Sequence, residues 1–227
     1  MKKGIFSSIV TLGALLGIIF GLFFGNFRAE VSYAAAAPEG EITVDDEYLI
    51  PDNLGWCTYY VVLATNTTGS DISISADFVA KDKQGNVLRK VNDYSEGVRA
   101  GQQFILYGQF LSSAISSAAS YEYTYTVDTT DRCAYSKVAF GASNAGDCLE
   151  VSATNKAGSD LQGVGVRAIF IKDGKAVAFD KVNIADEGIV FRSGSTNSQY
   201  IGEYAGDYDN FIMTYTSVSD KPLAQDT

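Results

Sequence analysis

The chain has 227 residues, with 17 basic and 27 acidic side chains, a net charge of −10 and no histidine. The negative charge argues against nucleic acid as a partner, because its phosphates would be repelled. The lack of histidine removes the commonest general base and metal ligand, which argues against an enzyme but leaves carboxylate chemistry open. Tyrosine, phenylalanine and glycine are plentiful and there are only 3 prolines, a composition typical of short strands and tight turns that predicts an all-β protein.

Residues 1–37 have the composition of a membrane-targeting segment. Lys2 and Lys3 precede a stretch from Gly4 to Phe27 that carries no charge in 24 residues. As a helix rising about 1.5 Å per residue, it would cross the roughly 30 Å hydrocarbon layer of a lipid bilayer. Its length favours a retained signal anchor over a signal peptide cut near Ala36, whose apolar part usually runs about 7 to 15 residues. Both alternatives place the rest of the chain outside the cytoplasm, held at the cell membrane or secreted.

Four glycines recur at every fourth position of this segment: Gly13, Gly17, Gly21 and Gly25. On a helix they would form one face and allow a second helix to approach closely, as in G-x-x-x-G dimers. The spacing therefore raises the hypothesis of self-association. The alternative is that glycine is simply common in membrane segments and signals.

A seven-residue stretch occurs twice in the remainder of the chain. The run NTTGSDI that begins at Asn66 reappears 89 positions later as NKAGSDL, beginning at Asn155. In each copy Asn can bond its own backbone and Gly can supply a reversed conformation, so the chain is expected to fold back between two strands. The repeat predicts two tandem domains, residues 38–128 and 129–219, followed by a tail at 220–227.

Each predicted domain contains at least six strands, with turn signals every 8 to 12 residues or so, which is typical of an immunoglobulin-like β-sandwich. The last strand of each copy has large residues at a period of two, which predicts one buried face. These residues are Tyr121, Tyr123 and Tyr125 in the first copy and Phe211, Met213 and Tyr215 in the second. The Ser- and Ala-rich segment 111–120 fits either a short helix or a loop.

The strand and turn from Phe78 to Val87, FVAKDKQGNV, resemble the FxLYD-type domain of bacterial cell-envelope proteins. That family's signature is F-x-L-Y-D followed by a Lys/Asp-Gly turn. Phe78, Asp82, Gly85 and Asn86 match, whereas Ala80 and Lys81 replace the Leu and Tyr; the second copy keeps only Asp173 and Gly174 of the turn. The resemblance covers about half of each repeat and implies an immunoglobulin-like fold at a bacterial surface. It implies no catalytic residue.

The three cysteines, Cys57, Cys133 and Cys148, have no metal-binding spacing. Cys57 and Cys148 occupy equivalent places in the two copies, so neither is expected to pair within its own domain. Cys133 begins the second copy, and a bridge to Cys57 across the junction requires an odd number of strands per domain. Three reduced, mostly buried thiols are the favoured alternative.

Two groups of side chains are candidate ligand sites. The carboxylates Asp45, Asp46, Glu47, Asp207 and Asp209 could bind calcium or act as an acid and base pair, but they lack the spaced ligands and fixed glycine of a calcium loop, so solvated loops are favoured. Aromatic rings on a sandwich face bind sugars in carbohydrate-binding modules. The candidates for such a face are Tyr94, Tyr107, Tyr200, Tyr204 and Tyr208, with core packing as the favoured alternative.

No catalytic, cofactor-binding or metal-binding residue is therefore predicted. The expected function is that of a non-enzymatic, membrane-anchored interaction module or spacer at the cell envelope, with an envelope protein as the expected partner. The alternative is a carbohydrate-binding surface module with a glycan partner. An apolar seam between the two domains would indicate a fixed platform, whereas a bare linker would indicate a flexible stalk.

Overall fold

A computed structural model describes residues 28–31, 41–186 and 190–223 of the chain. The described part is all-β, with thirteen strands, two short 3-10 turns at Ser112–Ala114 and Tyr135–Lys137, and no α-helix. The first seven strands are β1 Arg28–Val31, β2 Ile42–Pro51, β3 Cys57–Asn66, β4 Ile72–Lys81, β5 Val87–Val98, β6 Gln103–Leu111 and β7 Ser120–Thr129. The other six are β8 Val138–Asn144, β9 Leu149–Asn155, β10 Leu161–Lys172, β11 Lys175–Ile184, β12 Thr196–Ile201 and β13 Asn210–Ser219.

The strands form four sheets. Sheet 1 has the order β1-β7-β4-β5 and sheet 2 the order β2-β3-β6; sheet 3 has the order β11-β10-β13 and sheet 4 the order β12-β9-β8. Apart from the short parallel pairing of β1 with β7, every pairing is antiparallel. From β2 to β7 and again from β8 to β13, the second strand pairs with the first and fifth, and the third pairs with the fourth and sixth. The two halves of the chain therefore share one topology, as the repeated turn indicates.

A buried asparagine holds the repeated turn in both copies. The reversed conformation expected of the glycine is confirmed for Gly69, whose φ is +79°, and wrong for Gly158, which does not have a positive φ. Asn66 has no exposed surface, and its Nδ2 donates to the carbonyl oxygens of Ser70, Val98 and Arg99 at 2.9, 3.2 and 3.0 Å. Asn155 is equally buried and donates to Ser159 and Phe191 at 3.1 and 2.8 Å. Each asparagine thus satisfies carbonyls where the chain crosses from one sheet to the other.

We expect Asn66→Ala to lower the free energy of unfolding by about 2 kcal/mol, because it leaves buried carbonyls without their donor. Asn86→Ala, at an exposed hairpin position where the amide bonds only Asp82, is the matched control and should cost less than about 0.5 kcal/mol. Urea denaturation of both variants makes the comparison. Equal losses of unfolding free energy for the two variants would show that the buried asparagine of the repeated turn contributes no more than an ordinary exposed turn residue.

Each half buries its own core between two sheets. Between sheets 1 and 2 the largest buried side chains are aromatic, and Tyr60 lies edge-on to both Phe78 and Tyr123 at centroid distances of 5.5 and 5.6 Å. Gly108 has to be glycine here, since a Cβ at this position would lie 2.6 Å from the Cβ of Phe78. Between sheets 3 and 4 the core residues are mostly smaller, with Phe170 and Phe191 as the largest.

The inward face predicted for the last strand is confirmed in the first half, where Tyr121, Tyr123 and Tyr125 are all buried. In the second half Met213 and Tyr215 pack only at the edge of the core, and Phe211 is 36% exposed, so the prediction is wrong for Phe211. The Ser- and Ala-rich segment forms a single 3-10 turn followed by an irregular stretch.

A third apolar layer joins the two halves, and we call it the seam. The outward face of sheet 2 contributes Ile50, Val61, Leu63 and Ile105, and the outward face of sheet 3 contributes Ile169 and Phe179; all six are at most 6% exposed. Sheets 1, 2, 3 and 4 consequently stack in that order as four layers. The free energy gained by removing this apolar area from water holds the two halves together.

The stack ends after four layers because its two outer faces are polar. Sheet 1 carries the ion pairs Lys90–Asp77 at 2.8 Å and Lys81–Glu122 at 2.6 Å on its outer face. On strand β9 of sheet 4, Glu150 and Ser152 take the places that Val61 and Leu63 hold on β3, counted back from the repeated asparagines. Equivalent strands thus have apolar outward faces only where the halves meet, as in the capped ends of repeat proteins.

Candidate functional site

A buried ion pair crosses between the halves beside the seam. Arg167 on β10 binds the Asp93 carboxylate on β5 through both of its terminal nitrogens, at 2.6 and 2.8 Å. The same guanidinium donates to the main-chain oxygens of Ile105 and Tyr94, at 2.5 and 3.3 Å, and lies 4.8 Å from the Tyr107 ring centroid. Planar, forked arginine suits such a site, because it satisfies a carboxylate and two carbonyls of the sheet edge at once.

The surroundings of Asp93 act on the pKa of its carboxyl group in opposite directions. Burial raises the pKa of the Asp93 carboxyl above its ordinary value, and the Arg167 guanidinium and the Tyr107 N–H oppose that rise. The carboxylate side chain is 6% exposed and the arginine 17%. A buried charge of this kind depends on its partner, since either group alone would carry a large desolvation cost.

Further contacts join the two halves at both ends of the strands. We call the end that carries the repeated turns the base. There Gln102 donates to the Tyr215 carbonyl at 2.6 Å and Arg132 pairs with Glu96 at 3.0 Å. At the opposite end, the tip, Asn53 donates to the Tyr204 carbonyl at 2.8 Å. These contacts add to the seam and hold the two halves in one relative orientation.

The tip presents exposed apolar side chains on a well-ordered turn. The Asp52 carboxylate accepts hydrogen bonds from the N–H groups of Trp56 and Cys57, both at 3.0 Å. Burial would raise the pKa of Asp52, but these bonds and one from the Cys57 thiol outweigh it and hold the pKa below its usual value. The tip surface comprises Leu54, Trp56, Leu111 and Tyr204, with exposed fractions of 53, 73, 59 and 69%. Exposed Trp and Tyr are the residues most enriched in binding hot spots.

A small cavity, the tip pocket, opens between the halves beside this surface. Its volume is about 120 Å³. Tyr59, Phe179 and Tyr204 supply aromatic walls, and Asp52 and Asp180 supply the only charged groups among its lining residues. The pocket exists only because the seam sets the 52–57 turn of the first half against the 202–209 loop of the second.

A larger groove, of about 830 Å³, lies at the base. Asp71, Arg99, Asp131 and Lys137 bring charges of both signs to it, and none of its lining residues is aromatic. It has the open, polar character of a solvated cleft between two linked units, and it lacks the apolar lining typical of small-molecule sites.

The five tyrosines that are candidates for a sugar-binding face do not lie together. Tyr94 is exposed on the outer side of sheet 1 and Tyr200 on the outer side of sheet 4, at opposite ends of the stack. Tyr107 packs into the seam against Phe179, and Tyr208 packs edge-on to Phe170. Only Tyr204 belongs to the tip surface. Sequence reasoning missed Trp56 as a candidate binding residue. The signal that could have found it is its position directly after the turn residues Asn53 and Gly55, where a large aromatic side chain is exposed.

The carboxylates that are candidates for a metal site, or for an acid and base pair, lie apart and have hydrogen-bond or ion-pair partners. Asp45 accepts from Thr65 and Gln103, whereas Glu47 accepts from the hydroxyls of Tyr60 and Tyr123. Asp207 and Asp209 lie in the second half, where Asp207 pairs with Lys172 at 3.1 Å. Within the described part of the chain, no group of three or more His, Cys, Asp or Glu side chains is placed to hold a metal ion.

All three cysteines are free thiols. Cys57 begins β3 at the tip, where its thiol donates to Asp52, and Cys133 lies at the base, where its thiol donates to the Gly97 carbonyl at 3.2 Å. The alternative of a disulfide between Cys57 and Cys133 is therefore wrong. Each half has six repeated strands, an even number, so the two thiols lie at opposite ends of the strands. Burial raises the pKa of Cys133 to about 12 and also raises that of Cys57, so neither is a reactive thiolate at neutral pH.

The predictions for the amino-terminal segment lie almost entirely outside the described residues. This is true of the anchor from Gly4 to Phe27, of the four glycines on its predicted face and of the cleavage site near Ala36. Within the described ranges, no helix has the length and apolar character needed to cross a bilayer. The backbone of Arg28–Val31, directly after the uncharged stretch, pairs in parallel with β7.

Comparison with known proteins finds distant likenesses among solved structures. No protein-family model matches the chain, and no curated protein matches it. Among solved structures, the chain is similar to a red sea bream transglutaminase, with 11% identity, a TM-score of 0.26, and coverage of 77% of this chain and 27% of that one. It is also similar to native α2-macroglobulin from Escherichia coli, spanning domains NIE to MG1, with 10% identity, a TM-score of 0.15, and coverage of 62% and 86%. Neither likeness is close enough to carry an argument about function.

Proposed function

We propose that this protein is a non-enzymatic, membrane-anchored interaction module at the outside of the cell membrane. In this proposal two tandem immunoglobulin-like sandwiches of the FxLYD type, residues 38–128 and 129–219, form one rigid platform behind a membrane helix. The platform presents the tip surface to a protein of the cell envelope. A spacer role is the limiting case in which the tip has no partner.

The observation that carries the proposal is the seam. Flexible stalks connect their units by linkers with few contacts, whereas here two sheet faces share a buried apolar layer, and a bidentate ion pair joins the halves beside it. Rigid presentation lowers the entropy cost of binding at a surface formed by both halves. The chain contains no histidine, and the candidate carboxylates lie in separate hydrogen-bonded sites, which supports a role in binding rather than in catalysis.

Two measurements on the full chain test the proposal. Spin labels at Lys83 and Ser143, exposed positions in opposite halves, should give a single narrow distance distribution, because the seam fixes the halves. A membrane-impermeant amine reagent should label the chain on intact cells, because its lysine-bearing domains are outside. A broad distance distribution would contradict the platform, and labelling only after lysis would contradict the extracytoplasmic setting.

A carbohydrate-binding module is the second candidate, and one observation favours it. Trp56 is 73% exposed on an ordered turn, and Tyr204 is 69% exposed at the same end, so the tip offers aromatic surface on which a pyranose ring could stack. A glycan array probed with the protein and with Trp56→Ala separates the candidates: glycan binding that the substitution abolishes would establish the carbohydrate role.

A further inference from the structure

The walls of the tip pocket are aromatic and differ in exposure. Phe179, at 6% exposure, forms the floor, and its ring centroid is 5.1 Å from that of Tyr59. Tyr204 and Leu54 are more than half exposed and lie at the mouth. A side chain entering the pocket would therefore pass between exposed apolar groups and end against the tilted rings of Tyr59 and Phe179. The faces of aromatic rings carry negative electrostatic potential.

The charges of the pocket are both negative. Asp180 accepts from the N–H groups of Lys181 and Gly202 at 2.8 and 2.7 Å, which fixes its carboxylate in place while leaving lone pairs free. Asp52 is held likewise by its own turn. Among the described residues, no lysine or arginine forms an ion pair with either carboxylate. The pocket thus combines aromatic faces with two carboxylates that main-chain N–H groups hold in place.

We propose that the tip pocket binds a lysine or arginine side chain of a partner protein. The inference rests on the proposed function and names the chemistry of the partner's anchor residue. Attraction between the cation and the aromatic rings acts together with attraction to two carboxylates. The aliphatic stem of the same side chain covers Leu54 and the ring of Tyr204.

Size and surroundings favour a side chain of a protein over a free small molecule. A volume of about 120 Å³ accepts one long side chain and little more. At the same end of the molecule, Trp56 and Leu111 are exposed outside the pocket, and only the neighbouring residues of a larger partner would cover them. An anchor residue in a pocket, ringed by apolar contacts that exclude water, is the usual arrangement of a protein-binding hot spot.

Trp56 provides the readout, because it is the only tryptophan of the chain and lies on the turn that bears Asp52 and Leu54. The full chain in a zwitterionic detergent is titrated with the peptide Lys-Gly-Lys-Gly-Lys in about 0.15 M salt, where charges more than about 8 Å apart are largely screened. The same peptide with acetylated lysines is the matched ligand. We expect the basic peptide to change the fluorescence of Trp56 saturably and the acetylated peptide to have no effect.

Two variants and two controls locate the binding. Tyr204→Ala removes an exposed ring but keeps the carbonyl that accepts from Asn53, and Asp180→Asn removes one charge; each should weaken binding about tenfold, the loss of roughly one cation–π or ionic contact. Tyr200→Ala and Asp77→Asn remove an exposed ring and a carboxylate from the outer faces of sheets 4 and 1 and should leave binding unchanged. Thermal unfolding of every variant shows that it is folded.

Equal binding of the acetylated peptide, or equal weakening by the tip variants and the controls, would overturn the proposal, as would the lack of any binding. A change in Trp56 fluorescence that a glycan causes and the basic peptide does not would overturn the proposal in favour of the carbohydrate role. The spin-label distances are measured on the same preparations. A narrow distribution without peptide binding would refute the basic anchor alone, whereas a broad distribution would refute the platform.

Discussion

Ile169→Asp is expected to cost about 3 to 5 kcal/mol of stability, because it places an unpaired charge in the centre of the seam. Ile169 has no exposed surface and packs among apolar residues from both halves. Each half keeps its own core, so the halves are expected to separate rather than to unfold at once. The measurements are chemical denaturation, for the free energy, and small-angle scattering, for an increase in the radius of gyration.

The repeat provides a matched control. Ala168 pairs with Met213 on the last strand of the second half, and Phe78 pairs with Tyr123, the equivalent of Met213, on the last strand of the first. Ala168 and Phe78 are therefore equivalent, and so are the residues that follow them, Ile169 in sheet 3 and Val79 in sheet 1. Val79 lies on the polar outer face, and Val79→Asp should cost less than about 1 kcal/mol. If both substitutions have the same cost and leave the radius of gyration unchanged, the two halves do not depend on the seam.

Arg167→Ala is expected to cost about 3 to 5 kcal/mol at neutral pH, since it leaves the Asp93 carboxylate buried without a counter-charge. The guanidinium also caps two main-chain carbonyls at the sheet edge, and these lose their donor as well. Lys90→Ala, which breaks the exposed pair with Asp77, is the control and should change stability by less than about 0.5 kcal/mol. Urea denaturation at neutral pH compares the two.

The pH dependence of Arg167→Ala identifies the unpaired carboxylate as the cause. Burial raises the pKa of Asp93, and without the opposing arginine the folded-state pKa rises further above the unfolded value of about 3.9. The folded variant then holds a proton that the unfolded chain releases, so its stability falls as pH rises through the folded-state pKa. The deficit relative to the natural protein should therefore shrink as the pH is lowered from 7 to 5. A deficit independent of pH would assign the loss to the carbonyls alone.

Local patterns were sufficient for much of the fold. Ile74, Ala76 and Phe78 alternate with polar residues, which is the pattern of a strand with one buried face, and all three residues are buried. The even spacing of tyrosines on the last strand of the first half predicted a core that is also observed. Periodicity succeeds here because side chains of a strand alternate between its two faces, so burial of one face is written directly into the sequence.

The seam also left a signal, in the strands that do not alternate. Residues 59–64 read YYVVLA, and this continuous apolar run, like that of β10, is typical of a strand buried on both faces. Its counterpart in the second half, residues 148–153, reads CLEVSA and alternates from Leu149 onward. A continuous run predicts a second buried face, but it does not show what covers that face, because another domain, another chain and a helix would all require the same residues.

The sequence by itself determined the all-β class, the repeated succession of strands and the buried face of strands such as β7, because these depend on periodicity and turn chemistry over short separations. Only the tertiary structure decided that sheet 2 packs on sheet 3, that Arg167 binds Asp93, and that Cys57 and Cys133 lie at opposite ends of the strands. It alone brought Asp52 and Asp180 into one pocket, although 128 positions separate them. Such contacts depend on the relative orientation of two separately folded cores, which apolar packing over the whole seam sets and no local pattern encodes.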